Sequence, residues 1–408
     1  MTGTADAGRE QLHGHRQADE ALLDDPDAIF RTDPGGLLRA VASAGPQVRE
    51  AAQLAAEANL AELAEDGRPR AVVVAGVGTA ARTGEVLATV AGPRCPVPVV
   101  AHRSPGVPGW VGAADVVIAV SASGHSPEAL AAAEAAARRG ARLVAVGAPR
   151  TPLQSVAERA RALFVPVPRR APARASLWAL TVPVLLAGRA LGMVKVNEAD
   201  LAETAARLDA DAERCRPTAE SFVNPAKSLA LDLAGAIPVV WGSSPLAGVA
   251  AHRFADMLSA NARYPAVAGS LGEVGRGRIG LLDGVFGGLA EAERDIFADP
   301  GQEGPVRLHL VVLRDGGVVG EDEPVGEPAA VEDRRADAVV ALARRRGIRC
   351  TVLVADGASP LERLASLVAV PDFASVYLGV AHGLDPMAVP AVTELKDALV
   401  PHEGRPVA

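Results

Sequence analysis

Val116-Val117-Ile118-Ala119-Val120-Ser121-Ala122-Ser123-Gly124-His125-Ser126-Pro127-Glu128 decides the fold. Five apolar residues run without a polar break, so no side chain among them is suited to face water. Such a run reads as a strand buried on both faces, which parallel sheets require. A small, hydroxyl-rich turn follows, then an alanine-rich helical stretch opened by a proline. Ser126 suits the N-cap of that helix and Pro127 its first position.

The same grammar extends in both directions. Apolar runs at Ala71–Ala75, Val97–Ala101, Leu143–Val146 and Leu163–Val167 alternate with helical stretches starting near Thr79, Pro127 and Pro152. This pattern predicts an α/β fold with a doubly wound parallel sheet. Leu37–Leu63 reads as a helix or helix pair, and Arg174–Leu191 as a strongly apolar helix. Residues 192–223 are charged and helical, and bridge to a second round of alternation. There Ile237–Trp241, Leu308–Leu313 and Thr351–Val354 are strands. Leu246–Arg263 and Ala330–Arg346 are helices, and two helices close the chain near Leu361–Val380 and Pro390–Leu399. Gly284–Pro305 and Asp315–Pro328, rich in glycine, proline and acids, read as surface loops. The expected organisation is a disordered polar tail at 1–20, a first domain at 21–200, a linker helix at 201–223 and a second domain at 224–402.

Bulk properties narrow the function. With 408 residues the chain is long enough for two or three domains. Its formal charge of −8 argues against nucleic acid as a partner, since phosphate backbones call for a clustered basic surface. The three cysteines, Cys95, Cys215 and Cys350, are far apart and form no metal-ligand pair, so free thiols in a reducing compartment are expected. The N-terminus lacks the apolar segment of a secretory signal, and Ala175–Ala190 is too short to span a bilayer comfortably. A cytoplasmic protein with no membrane partner is the expectation.

The turn after Val116–Val120 carries the chemistry. Ser121, Ser123 and Ser126 offer three hydroxyls, Gly124 permits close backbone approach, and the helix start adds free N–H groups and a positive dipole end. Together these make a phosphate cradle. The plainer reading is a capped turn, which one serine would satisfy and three in six residues fit less well. A second turn, Gly76-Val77-Gly78-Thr79-Ala80-Ala81, matches the G-x-G-x-x-A pattern of dinucleotide sites. The acid such a site wants at the end of the next strand is missing, since that strand ends Val99-Val100-Ala101-His102-Arg103. No nicotinamide or other cofactor is therefore expected, and Gly76 and Gly78 read as the other wall of the phosphate pocket, or simply as a tight turn. No residues with metal-ligand spacing stand out.

At these two turns the chain resembles the bifunctional phosphoglucose/phosphomannose isomerase family of double SIS-domain (sugar isomerase) proteins. The resemblance runs over roughly residues 20–400. Leu22-Leu23-Asp24-Asp25-Pro26 is similar to that family's opening segment, Ala173-Arg174-Ala175-Ser176 to its P-R-A-A, and Asn224-Pro225-Ala226-Lys227 to its N-P-A-K. Ile237–Ser243 resembles its I-P-V-I-Y-G-S, and Ser259–Ala266 its N-E-N-A-K-x-P-A. Asp372–Leu378, Gly383-Leu384-Asp385-Pro386 and Leu395-Lys396 match best. The resemblance implies two SIS-type domains, a homodimer and a small-molecule sugar phosphate as ligand. It assigns Ser121, Ser123 and Ser126 to phosphate, and places Arg174 and Lys396 in the active site.

The family's acid–base pair does not carry over. Its glutamate in N-E-N-A-K falls on Ala260, and its histidine in E-L-N-H-N-E on Arg276. A methyl group takes no proton and a guanidinium stays protonated. Asp256, one helical turn before Ala260, and Glu273 are the weak catalytic candidates, each read more plainly as a salt bridge or cap. Arg276 reads as an added anion holder or as an exposed loop arginine. The expected function is sugar-phosphate binding with the usual isomerase activity lost or altered. The alternative is an active isomerase with relocated acid–base residues.

Overall fold

The computed structural model describes residues 18–291, 306–316 and 327–399. The expected tail through residue 17, and parts of the two expected loops, lie outside the described residues. Four helices open the chain: α1 (Glu20–Asp24), α2 (Pro26–Thr32), α3 (Leu37–Ala42) and α4 (Ala44–Glu57). Alternation then runs β1 (Val72–Ala75), α5 (Thr79–Ala91), β2 (Val99–His102), β3 (Val116–Ser121), α6 (Pro127–Arg138), β4 (Arg142–Gly147), α7 (Pro152–Ala160) and β5 (Leu163–Pro166). The apolar α8 (Leu177–Ala190) and the charged α9 (Glu198–Arg214) follow. The second half begins with α10 (Pro225–Leu233), β6 (Ala236–Gly242) and α11 (Pro245–Met257). It continues with β7 (Val267–Ser270), α12 (Leu271–Val274), β8 (Arg307–Arg314), α13 (Glu327–Arg345) and β9 (Arg349–Val354). It ends with α14 (Pro360–Ala381) and α15 (Pro390–Leu399).

All paired strands are parallel, in sheets ordered β2-β1-β3-β4-β5 and β7-β6-β8-β9. Alternate residues of each central strand enter different cores. Val116, Ile118 and Val120 point into the large shared core, while Val117 and Ala119 pack beneath α6 and α7. Val240 and Val239 divide in the same way in the second sheet. Burial on both faces is the physical reason for the unbroken apolar runs.

The shared core joins the two halves through α14, which packs on α9, α10 and α11. By length and composition α14 could cross a membrane, but 94% of its most apolar window is buried inside the protein. The bridge is only partly helical. α9 stops at Arg214, and its Leu201, Ala205 and Leu208 are buried, so it is packed against α4 and α14 rather than free. Two further differences concern boundaries. The helix expected through Arg263 changes at Met257 into a π-helical turn over Leu258–Ala262. The short edge strand β7 was not expected, because Val267-Ala268-Gly269-Ser270 holds a single β-branched apolar residue.

Candidate functional site

In both sheets the chain winds one way from the first strand and then the other. The reversal lies between β1 and β3, and again between β6 and β8. Crevices at the carboxyl ends of strands beside such a reversal are where open α/β sheets bind ligands. The first crevice is walled by the two turns singled out in the sequence, after β1 and after β3.

The β3–α6 turn holds itself open with its own polar groups. Ser121, almost fully buried, accepts the Gly124 N–H at 3.0 Å and lies 3.4 Å from the Ser123 hydroxyl. Ser123 Oγ accepts the His125 N–H at 3.1 Å. Gly124 has φ +71°, and a Cβ there would lie 2.1 Å from Thr151 Oγ1, so both conformation and space demand glycine. Ser126 occupies the N-cap position of α6 but does not cap it. Its hydroxyl donates instead to Glu128 Oε2 at 2.7 Å. The helix start thus keeps uncapped N–H groups, with Ser123 and Ser126 half-exposed beside them. On the facing turn, Gly78 has φ +58° and opens α5, while Gly76 lies so close to β3 that a Cβ would meet Val120 O at 2.8 Å.

A cleft of about 490 Å³ lies between the halves. Arg174, Asp256, Ser259 and Ala260 form one side. Met387, Val389 and Thr393, leading into α15, form the other. Arg174 sits in a short 3-10 turn and donates Nη2 to Pro386 O at 2.7 Å and Met387 O at 3.2 Å. Its Nε is buried and has no hydrogen-bond partner among the described residues. Burial and the nearby Arg263 push the Arg174 guanidinium below its ordinary range, partly offset by Asp385 and Asp33. Arg263, itself in a left-handed conformation, donates to Asp385 O at 2.7 Å and also holds Ala388 O.

Ala260 falls in the π-helical turn, a deviation found frequently at functional sites. The turn is anchored from below, where Asn261 Nδ2 donates to Ser375 Oγ on α14 at 2.9 Å. Asp256 is tied to α5, because the buried Arg82 donates Nη2 to its Oδ2 at 2.8 Å. That ion pair was the plainer reading of Asp256, and Arg82 itself was not singled out by any sequence motif.

The other candidates are not brought into this cleft. Glu273 on α12 and Arg276 just after it are exposed and do not line it. Lys396 lies on α15, one turn beyond Thr393, but its side chain is outside the described residues. Among the described residues, no group of three or more His, Cys, Asp or Glu could hold a metal. A groove of about 570 Å³ along α4, α8 and α9 is walled largely by alanine and leucine, and carries no convergent donors from either turn.

Comparison with known proteins matches this architecture. The family model of the bacterial phospho-glucose isomerase C-terminal SIS domain matches residues 222–399. A bifunctional phosphoglucose/phosphomannose isomerase from Caldicellulosiruptor bescii is 26% identical over 330 residues, covering 80% of this chain and 89% of that protein. Among solved structures, a hypothetical protein from Thermus thermophilus superposes with a TM-score of 0.64 at 18% identity, covering 93% of this chain and 94% of that one. The C-terminal domain of glucosamine-fructose-6-phosphate aminotransferase from Francisella tularensis gives 0.57 at 12% identity, covering 86% and 97%. At these identities the structural likeness speaks for the fold alone. The chain is thus similar over 80% of its length to a bifunctional phosphoglucose/phosphomannose isomerase, and its residues 222–399 match the C-terminal SIS domain of the bacterial phospho-glucose isomerases.

Proposed function

We propose that this protein binds sugar phosphates, and that the isomerisation for which its relative is named is lost or altered. The phosphate sits on the β3–α6 turn, and the sugar extends toward the cleft of Arg174 and Ala260. Residues 21–200 and 224–402 act as the two SIS units, and the protein works in the cytoplasm as a homodimer. The observation that carries the reading is the uncapped start of α6, with Ser121, Ser123 and Ser126 around it, placed at the β1/β3 reversal. Preorganised N–H groups and the dipole of a three-turn helix favour a dianion there.

Aldose–ketose isomerisation moves a proton between C1 and C2, and general acid–base groups contribute roughly 10²–10⁴-fold each. Ala260 supplies no base at the cleft, and Arg276 no proton shuttle. The role left to the site is to hold a phosphosugar, as a sensor or accessory factor would. Calorimetric titration with glucose 6-phosphate and mannose 6-phosphate, beside a coupled assay with fructose 6-phosphate, tests this. Saturable binding without turnover is expected. Turnover lost in Asp256→Asn would establish a relocated base instead, and absence of any binding would remove the reading.

A further inference from the structure

The proposed function leaves the sugar without a named partner, and the cleft holds one group suited to it. Asp256 lies on α11, one turn before Ala260, with its side chain 48% exposed. Arg82, only 8% exposed, donates both Nε (3.1 Å) and Nη2 (2.8 Å) to the same atom, Asp256 Oδ2. Among the described residues nothing else hydrogen-bonds to Asp256, so Oδ1 is a fixed acceptor left open at the cleft wall. The clamp is itself braced, since Arg82 Nη1 donates to Glu85 Oε2 at 2.6 Å and Arg103 holds the other Glu85 oxygen. Burial alone would raise the Glu85 carboxyl, but Arg82 and Arg103 keep it below its usual range.

Position adds to chemistry. Arg82 stands in the first turn of α5, just past Gly78, so the clamp joins the wall of the phosphate crevice to the wall of the cleft. An ionised carboxylate only accepts hydrogen bonds, and a sugar presents hydroxyl donors. A carboxylate held through one oxygen loses little freedom when the other is engaged.

Resting on the sugar-phosphate reading, we infer that Asp256 Oδ1 binds a hydroxyl of the sugar and that Arg82 is its positioning residue. Ser259 and Thr393, on either side of the same cleft, complete a polyol-binding subsite, with the small Ala260 side chain leaving room between them.

The test is the ratio of affinities for glucose 6-phosphate and inorganic phosphate, measured calorimetrically on the full chain. The wild type is expected to bind the sugar phosphate more tightly. Asp256→Ala should lower the ratio about 10- to 100-fold, as loss of a hydrogen bond to a charged group does, and leave inorganic phosphate binding within about twofold. Arg82→Lys should keep part of the preference and Arg82→Ala should lose it. If Arg82→Ala does not fold, Asp256→Ala and Asp256→Asn decide alone, since Asp256 is half-exposed. An unchanged ratio in folded Asp256→Ala, or equal weakening of both ligands, overturns the inference. A wild type that binds inorganic phosphate but prefers no sugar phosphate overturns it while leaving the phosphate turn intact. A wild type that binds neither overturns both.

Discussion

Arg253 and Asp372 form an ion pair under the cleft, Nη2 to Oδ2 at 2.6 Å, with both side chains at least nine-tenths buried. The same Nη2 donates to Arg174 O at 3.0 Å, so the pair between α11 and α14 also fixes the turn that presents Arg174. Removing one partner strands a buried charge and costs about 3–5 kcal/mol. Asp372→Asn is expected to lose stability of that order in urea unfolding. Arg253→Met/Asp372→Leu should recover most of it, yet bind sugar phosphate more weakly because Arg174 loses its anchor.

Gly124→Ala should damage both stability and binding. Its φ of +71° and the 2.1 Å approach to Thr151 Oγ1 leave no unstrained place for a methyl group. A loss of more than about 1 kcal/mol is expected from the conformation alone. Thermal melts with and without glucose 6-phosphate check it, and a normal ligand-induced rise in Tm would contradict it.

His309 on β8 makes stability depend on pH. Its Nε2 lies 2.8 Å from Thr351 Oγ1, and burial, with Arg349 adding to it, pushes the imidazole from 6.5 down to about 4. Between those values the unfolded chain binds a proton that the folded chain does not. Stability from this group is complete above pH 6.5 and falls as pH drops toward about 4, by up to about 3 kcal/mol. The difference in Tm between pH 7 and pH 4.5 should shrink in His309→Gln relative to wild type.

Lys227 is a buried staple. Its Nζ donates to the carbonyls of Leu23, Pro217 and Ala219 and lies 5.6 Å from the centre of the Tyr377 ring. Burial lowers its pKa, with Asp24 acting the other way. Lys227→Met leaves three carbonyls without a donor and should cost about 3 kcal/mol. Urea unfolding measures it, and hydrogen exchange should show α1 opening more readily.

Much of this was legible in the chain, and the reasons are local. Val116–Val120 announces a two-sided strand because nothing in it tolerates water, and Ser121–Pro127 announces a tight strand-to-helix turn because small hydroxyl residues, glycine and proline fall together. Residues that act through distant partners were not legible. Arg82 and Asp256 are 174 positions apart, and Arg174 reaches a carbonyl 212 positions away. Neither pairing leaves a motif. The π-helical turn at Ala260 is anchored where Asn261 meets Ser375, again a long-range contact. The direction of the Ser126 hydroxyl was missed for a smaller reason: Glu128, two residues on, competes with the helix for it.

The most direct test is a crystal of the protein soaked in glucose 6-phosphate. The phosphate is expected on the β3–α6 turn, within hydrogen-bond distance of Ser123, Ser126 and the first free N–H groups of α6. A phosphate bound elsewhere, or a turn left empty at saturating ligand, would contradict the account.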